Sequence, residues 1–397
     1  VALLVVLSPE IVNGLLEGLQ GAQQGLRAVL SWLGLAPDVN GQPAWPFTHR
    51  LAAEMLVLDA GHARRVFTSL LACVAATALV LLSIFWRRAR ERLWLLAVAI
   101  LVMTPWPDAN LLLTAAVPTS LHQSPSGFTA QGIVRGQAVY QQQCVRCHGS
   151  DGRGEGPDAA SLPMWPPSLN GALLWKRLDG ELFARVRNGM HGRNGVQTMP
   201  GFAASLGDTE VWEVLDYLQA HAAGQMLRDT GTWERPVRLP AMAVRCRNSP
   251  AGERQSTRAL MGQRIRVVLP TAAGLPEQDP RLVDVVATAQ RQDAGDDPEC
   301  LTDGTASMTA LALVLGIPQA ELPGYQMVVD RAGWLRARGL PGAAAWSEDD
   351  LVCRSAQPST VPTGASIAAG PPGEGLTGLI RRMDSEPVRL LRGGFPH

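Results

Sequence analysis

Apolar residues are unevenly spread along this chain and crowd into the stretch before residue 118. Residues 1–7 are apolar but short, with no positive segment before them, and read as the end of a signal peptide or of an upstream membrane helix. In residues 9–35, Leu15, Leu16, Leu19, Leu26, Val29 and Leu30 recur at helical spacing. They predict one or two amphipathic helices lying on a membrane surface or against a partner. Val66–Trp86 is 21 residues without a charge, long enough at 1.5 Å per residue to cross a hydrocarbon core of about 30 Å. A second apolar run, from Leu93 to Val117, is interrupted by Pro105, Pro107 and Asp108. The pattern predicts a second span that continues through the prolines and ends near residue 112. Between the spans lie Arg87, Arg88, Arg90 and Arg92, which places that turn in the cytoplasm and the chain after residue 117 outside it.

Further on, the pattern changes twice. Residues 118–130 are a Pro/Ser/Gly linker, and Gly132–Tyr140 and Thr209–Leu218 have the stripes of two amphipathic helices. Gly136 against Trp212 or Tyr217 is the expected contact between them. After a second linker, 224–240, strands and helices alternate. Ala241–Cys246, Arg264–Leu269, Gln326–Asp330 and Trp334–Arg338 read as strands, the last two joined by the turn Arg331–Gly333. Leu282–Gln290 and Ser307–Leu315 read as helices. Residues 355–397 are rich in Pro, Gly and Ser and read as disordered. The predicted organisation is therefore 1–65 N-terminal segment, 66–117 helix pair, 118–130 linker, 131–223 helical domain, 224–240 linker, 241–354 α/β domain and 355–397 tail.

Composition narrows this little. The chain of 397 residues has 35 Lys+Arg and 35 Asp+Glu, so no global basic field argues for nucleic acid. The six cysteines matter more. Cys73 falls in an apolar run and reads as a small buried hydrophobe. Cys246, Cys300 and Cys353 allow one disulfide and one leftover thiol, and Cys300 with Cys353 is the expected pair.

Cys144-Val145-Arg146-Cys147-His148 carries the chemistry. A C-x-x-C-H run reads as a c-type haem attachment site: two thiols for two vinyl groups and a histidine for the iron. A redox dithiol or half of a zinc site is the alternative, but no second ligand pair follows. With its flanking helices, the segment 130–223 resembles small monohaem cytochromes c. The resemblance implies one covalent haem c with a methionine as sixth ligand. Met199, in Gln197-Thr198-Met199-Pro200, is the best candidate, because the following proline stiffens its loop; Met164, Met190 and His191 are rivals. The resemblance also implies a backbone carbonyl at or near Pro157 accepting from the other ring nitrogen of His148. Trp165, Leu169, Leu173, Leu174, Leu182, Phe183 and Val186 are expected to line the pocket. Arg153, Lys176, Arg177 or Arg193 could meet a haem propionate.

Two wider resemblances follow. Trp45–Leu51, the helix pair and Pro118–Thr129 resemble the junction in bacterial copper-resistance D-type membrane proteins fused to cytochrome c, a match that does not carry over their copper chemistry; His49, Met55 and His62 just before the first span read as isolated interfacial residues, with copper handling as the alternative. The strand–helix order after residue 241, with Pro323 before an inner strand, resembles the thioredoxin fold. The loop Pro270–Pro276 lacks the C-x-x-C of that family, so the resemblance implies a non-catalytic module. The expected architecture is multidomain: two transmembrane helices, an all-α cytochrome c domain and a degenerate thioredoxin-like α/β domain. The expected role is electron transfer on the periplasmic side of a bacterial inner membrane, between a dehydrogenase or quinol-linked donor and a terminal acceptor. The partners would be redox proteins, a respiratory or dehydrogenase complex and membrane lipid, with no substrate turned over by this chain alone. The rival reading is a redox or copper-assembly protein that uses the C-terminal domain.

Overall fold

The computed structural model describes residues 9–53, 59–171, 177–233, 235–249, 253–272, 274–291, 298–343, 345–353 and 375–388. The apolar start at 1–7, Met55, Leu173, Leu174 and Lys176 lie outside them. The chain divides into two compact units, one up to His122 and one from Gln123 onward.

In the first unit α1 (Pro9–Trp32) is a single amphipathic helix. Two short hairpin strands follow, β1 (Asp38–Val39) and β2 (Gln42–Pro43), then β3 (His49–Leu51). Next come α2 (Ala60–Phe85), α3 (Arg90–Met103), the single turn α4 (Ala109–Leu112) and β4 (Leu113–Ala115). Asp59 caps α2, its carboxylate accepting from the backbone of Gly61 and His62. Of the helices described, Gly61–Phe85 alone is long and apolar enough to cross a membrane. The expected second span is corrected: α3 stops after 14 residues and the chain turns extended at Thr104, because Pro105 and Pro107 cannot continue a helix.

The hairpin still returns to its starting level. Antiparallel pairing of β3 with β4 sets Arg50 opposite Thr114. At 1.5 Å per residue, α2 runs about 39 Å out and α3 about 21 Å back. The five extended residues Thr104–Asp108 supply about 16 Å more. Two of those five are prolines, which bring no N–H to leave unpaired, and Trp106 Nε1 donates to the Leu101 carbonyl at 3.0 Å. Residues Thr119–His122 are buried, with His122 Nε2 3.1 Å from the Pro43 carbonyl. This part of the expected linker is packed.

The second unit opens with α5 (Ala130–Gln143), the one-turn α6 (Val145–His148), α7 (Asp179–Asn188), the hairpin β5 (Met190–His191) and β6 (Gln197–Met199), and α8 (Asp208–Thr230). It continues with β7 (Ala243–Cys246), β8 (Gln255–Ser256), β9 (Ile265–Val268), β10 (Val283–Thr288), β11 (Cys300–Asp303), α9 (Thr305–Leu315), β12 (Gln326–Val329), β13 (Leu335–Gly339) and α10 (Gly375–Ser385). The seven strands form one sheet in the order β13-β12-β9-β10-β11-β7-β8. Strands β9, β10 and β11 are parallel to one another; β7 and β12 run antiparallel to them.

Four expectations fail here. Leu282–Gln290 is not a helix: Val283–Thr288 is a central strand packed on both faces, so its apolar residues run on instead of alternating. Residues 224–240 are not a linker, because α8 continues to Thr230 and Trp233, Val237 and Leu239 enter the core. The disulfide joins Cys246 to Cys300, which face each other across β7 and β11, while Cys353 is a free buried thiol beside β13. The tail contains α10, held by the fully buried Arg336, whose Nη1 and Nη2 donate to the Met383 and Glu386 carbonyls at 3.2 and 2.7 Å. Of the remaining tail only residues 386–388 are described.

One apolar core joins the helical domain to the sheet. Ile133 of α5 and Ala220, Ala223 and Leu227 of α8 pack with α9 and with the sheet face of Val267, Val285 and Met327. Where α8 crosses the end of α9, a Cβ on Gly224 would lie 1.9 Å from the Leu313 carbonyl oxygen, so only glycine permits the crossing.

Candidate haem site

Thr129 starts α5, its hydroxyl accepting from Gly132 N–H at 3.1 Å. Helix α5 crosses α8 backbone to backbone: a Cβ on Gly136 would fall 1.9 Å from the Glu213 carbonyl oxygen. Its partner is thus the backbone of Glu213 and Val214, not the ring of Trp212 or Tyr217. The Tyr140 and Tyr217 rings meet beside the crossing at 5.1 Å, and the Tyr140 hydroxyl donates to the Gly149 carbonyl at 2.7 Å. That bond fixes the loop that leaves the one-turn helix α6.

The turn puts Cys144, Cys147 and His148 on the wall of one cavity of about 660 Å³, within the range of cofactor pockets. Leu182, Arg185 and Val186, one face of α7, line it. So do Val214, Leu215 and Leu218 of α8, Leu162–Leu169 without Pro163, and Met190 and Met199 of the hairpin. Trp165, Leu169, Leu182 and Val186 stand where the sequence places them. Phe183 lies behind the wall, stacked on Trp212 with ring centres 4.5 Å apart. Among the described residues, no group of three or more His, Cys, Asp and Glu could hold a metal ion.

The chemistry of these groups fits a porphyrin better than a dithiol. Burial, and then the neighbouring Cys147, push the Cys144 thiol up to about 12, far from the thiolate that exchange chemistry needs. The two thiols are the precursors of thioether sulfurs. His148 has its pKa lowered by burial, and the Pro167 carbonyl opposes that shift. This carbonyl acts on the ring without closing a full hydrogen bond to Nδ1, which is buried and partnerless. The orienting carbonyl therefore belongs to Pro167, not Pro157, which does not line the cavity. An imidazole steered by the Pro167 carbonyl, beside two thiols in an apolar cavity, suits a ligand that brings its own iron.

Three of the four sixth-ligand candidates reach the cavity: Met164, Met190 and Met199. His191 does not line it. Met190 and Met199 are register partners across β5 and β6, so both side chains leave the same face. The Met190 sulfur accepts from Arg185 Nη1 at 3.7 Å; among the described residues Met199 makes no such contact. Of the proposed propionate partners, Arg153 pairs with Asp151 and Asp229 and Arg193 is not in the wall, whereas Arg177 is. Sequence reasoning did not single out Arg185. Its helical phase with Leu182 and Val186 was the available signal.

Residues 131–218 match the family described as cytochrome c oxidase, cbb3-type, subunit III. A thiosulfate dehydrogenase of Stutzerimonas stutzeri is 32% identical over 109 residues, covering 26% of this chain and 31% of that protein. The thiosulfate dehydrogenase of Allochromatium vinosum is 31% identical over 125 residues, 29% and 39% of the two chains. The cbb3-type cytochrome c oxidase subunit FixP of Sinorhizobium medicae is 30% identical over 114 residues, 28% and 35%. The chain thus spans about a third of the length of these relatives. Among solved structures, cytochrome cL of Hyphomicrobium denitrificans aligns over 27% of this chain and 59% of its own, at 20% identity and a TM-score of 0.20. From the motif, the cavity and the family match together, residues 131–218 form a cytochrome c domain, which implies a covalent haem c.

Proposed function

We propose that this chain is a membrane-anchored electron carrier with one haem c, which Cys144 and Cys147 would hold through thioethers and whose iron His148 and Met199 would bind. The observation that carries the reading is the single cavity shared by those four residues. The haem would take up and release one electron; the chain's part is to hold it and to set its potential. His148 is oriented by its one-turn helix and the Pro167 carbonyl. Met199 is presented by β6, with Pro200 behind it. Met190 is engaged by Arg185, which favours Met199 for the iron. An apolar wall keeps water off, and with a His/Met pair this favours a high potential. In the full chain purified with haem, Met199→Ala should abolish the long-wavelength band of methionine ligation in the oxidised spectrum; an unchanged band would overturn the assignment.

The anchor is the α2–α3 hairpin, with Arg87–Arg92 at its cytoplasmic tip and both ends outside. Support comes from the one membrane-length helix and from the β3–β4 pairing. The partners would be redox proteins of a respiratory or dehydrogenase complex, as the names of the relatives suggest. A thiol-based assembly role for the C-terminal domain has less support. Cys300 is bridged to Cys246, and Cys353 is buried with its thiol pushed up to about 11 by burial.

A further inference from the structure

The second leg of the proposed anchor does not satisfy its own backbone. In that anchor Arg90 and Arg92 lie at the cytoplasmic interface, and residues 93–103 rise about 16 Å from it as helix. The hydrocarbon core is about 30 Å thick, so the extended residues 104–107, about 13 Å long, cross its outer half. Asp108 is the next charged residue after Arg92 and falls at the outer boundary. Lipid provides no hydrogen bonds, and non-helical backbone persists at such depth only against protein or water. Pro105 and Pro107 remove two N–H groups but leave their carbonyls. Among the described residues, the carbonyl oxygens of Val102, Met103, Thr104, Pro105 and Trp106 accept no hydrogen bond, and the Trp106 backbone N–H donates none. The side-chain donors beside them are engaged one turn back: the Thr104 hydroxyl on the Ile100 carbonyl at 2.7 Å, and the Trp106 indole on the Leu101 carbonyl at 3.0 Å. Around this backbone Val102, Met103 and Trp106 are 74%, 82% and 51% exposed.

We infer that residues 102–106 seat a transmembrane helix of a partner protein, one that carries side-chain hydrogen-bond donors in the outer half of the membrane. The inference rests on the α2–α3 anchor and not on the haem ligands. A second copy of this chain is the poorer occupant, because it brings the same surplus of acceptors and its donors are spent. The Thr68, Ser69 and Ser83 hydroxyls donate to the Arg65, Val66 and Val80 carbonyls, and the Trp94 indole donates to the Ser83 hydroxyl. A partner helix with Ser, Thr, Asn or Gln at this level supplies what lipid cannot. Val102 and Met103 give it an apolar surface to pack on.

The test uses the full chain in two settings. In the membranes of the producing cells, a photoreactive side chain is placed at Met103, with Val74 of α2 as the control. Met103 should cross-link to one other polypeptide and Val74 to lipid. Pro105→Ala with Pro107→Ala lets α3 continue as a helix that bonds its own carbonyls, and this pair should lose most of the Met103 cross-link. A cross-link between two copies, a cross-link to lipid alone, or full yield in the alanine pair would overturn the proposal. In the second setting the purified chain is alone in phosphatidylcholine nanodiscs, with spin labels at Trp106 and Val74. Water must then stand in for the partner, so a water-soluble nickel relaxant should reach Trp106 in the parent but not in the alanine pair, and Val74 in neither. Exclusion of nickel from Trp106 in the parent would overturn the seat while leaving the anchor intact. Access at Val74 as well would overturn the anchor and the seat with it.

Discussion

Asp216 is a residue of this domain whose ionisation is coupled to folding. Its carboxylate is buried on α8, accepts from Ser126 and from the Phe128 backbone, and leaves Oδ2 without a partner. Burial pushes its pKa up to about 7, against about 3.9 in an unfolded chain. Between those values the native state binds the extra proton, so stability falls as pH rises from about 4 to about 7, by about 1.4 kcal/mol per pH unit. Denaturant titrations across that range should show the slope, and Asp216→Asn should flatten it. Persistence of the full slope in the variant would place its origin elsewhere. At this same scale the sequence is most informative where chemistry is contiguous. Cys144, Cys147 and His148 sit on one turn, and their spacing alone names the cofactor. Pro167 and Arg185 could not be read that way. The acceptor for His148 comes from a loop 19 residues away, and Arg185 matters only because α7 turns that face to the cavity.

Among the elements, the crossing helices depend on two glycines. A methyl group at either Gly136 or Gly224 would fall 1.9 Å from a facing carbonyl oxygen, so one backbone must move away. Overpacking of this kind costs about 1–3 kcal/mol or more. Thermal unfolding of Gly136→Ala should show that loss together with a disturbed haem spectrum. Gly224→Ala, by contrast, should loosen the sheet side and leave the haem bands in place. Equal stability to the parent in both would contradict the crossings. The Cys246–Cys300 disulfide closes a loop of 54 residues, for which chain entropy gives roughly 4 kcal/mol. Cys246→Ser with Cys300→Ser should lower the unfolding midpoint accordingly, and Cys353→Ser should not mimic it. Helix α5 and the first turns of α8 were legible because one apolar stripe identifies them, whereas α9 is apolar all round. Strand β10 was not: buried on both faces, it reads as an unbroken apolar run with no period to separate strand from helix. Helix α10 was hidden by its Pro- and Gly-rich flanks and depends on the distant guanidinium of Arg336.

For the whole molecule, the haem-binding helices and the sheet are not beads on a string. Ile133, Ala220 and Leu227 share a core with Val267, Val285 and Leu311, and Trp233 donates from Nε1 to the Val314 carbonyl at 3.3 Å. The sequence suggests a boundary near residue 224 because charge and proline gather there. The structure runs α8 straight through it. A chain ending after Thr230 would expose the inner faces of α5 and α8, and limited proteolysis should find it cut faster than the full chain; equal resistance would show the helical domain to be self-sufficient. The proposed anchor and the proposed partners both take their meaning from the haem. The most direct measurement is therefore the intact mass of the full chain purified from cells that mature c-type cytochromes. The account predicts the mass of the polypeptide plus one haem, retained after acid–acetone extraction and lost in Cys144→Ser with Cys147→Ser. A mass equal to the bare polypeptide, or a haem that extracts freely, would contradict it.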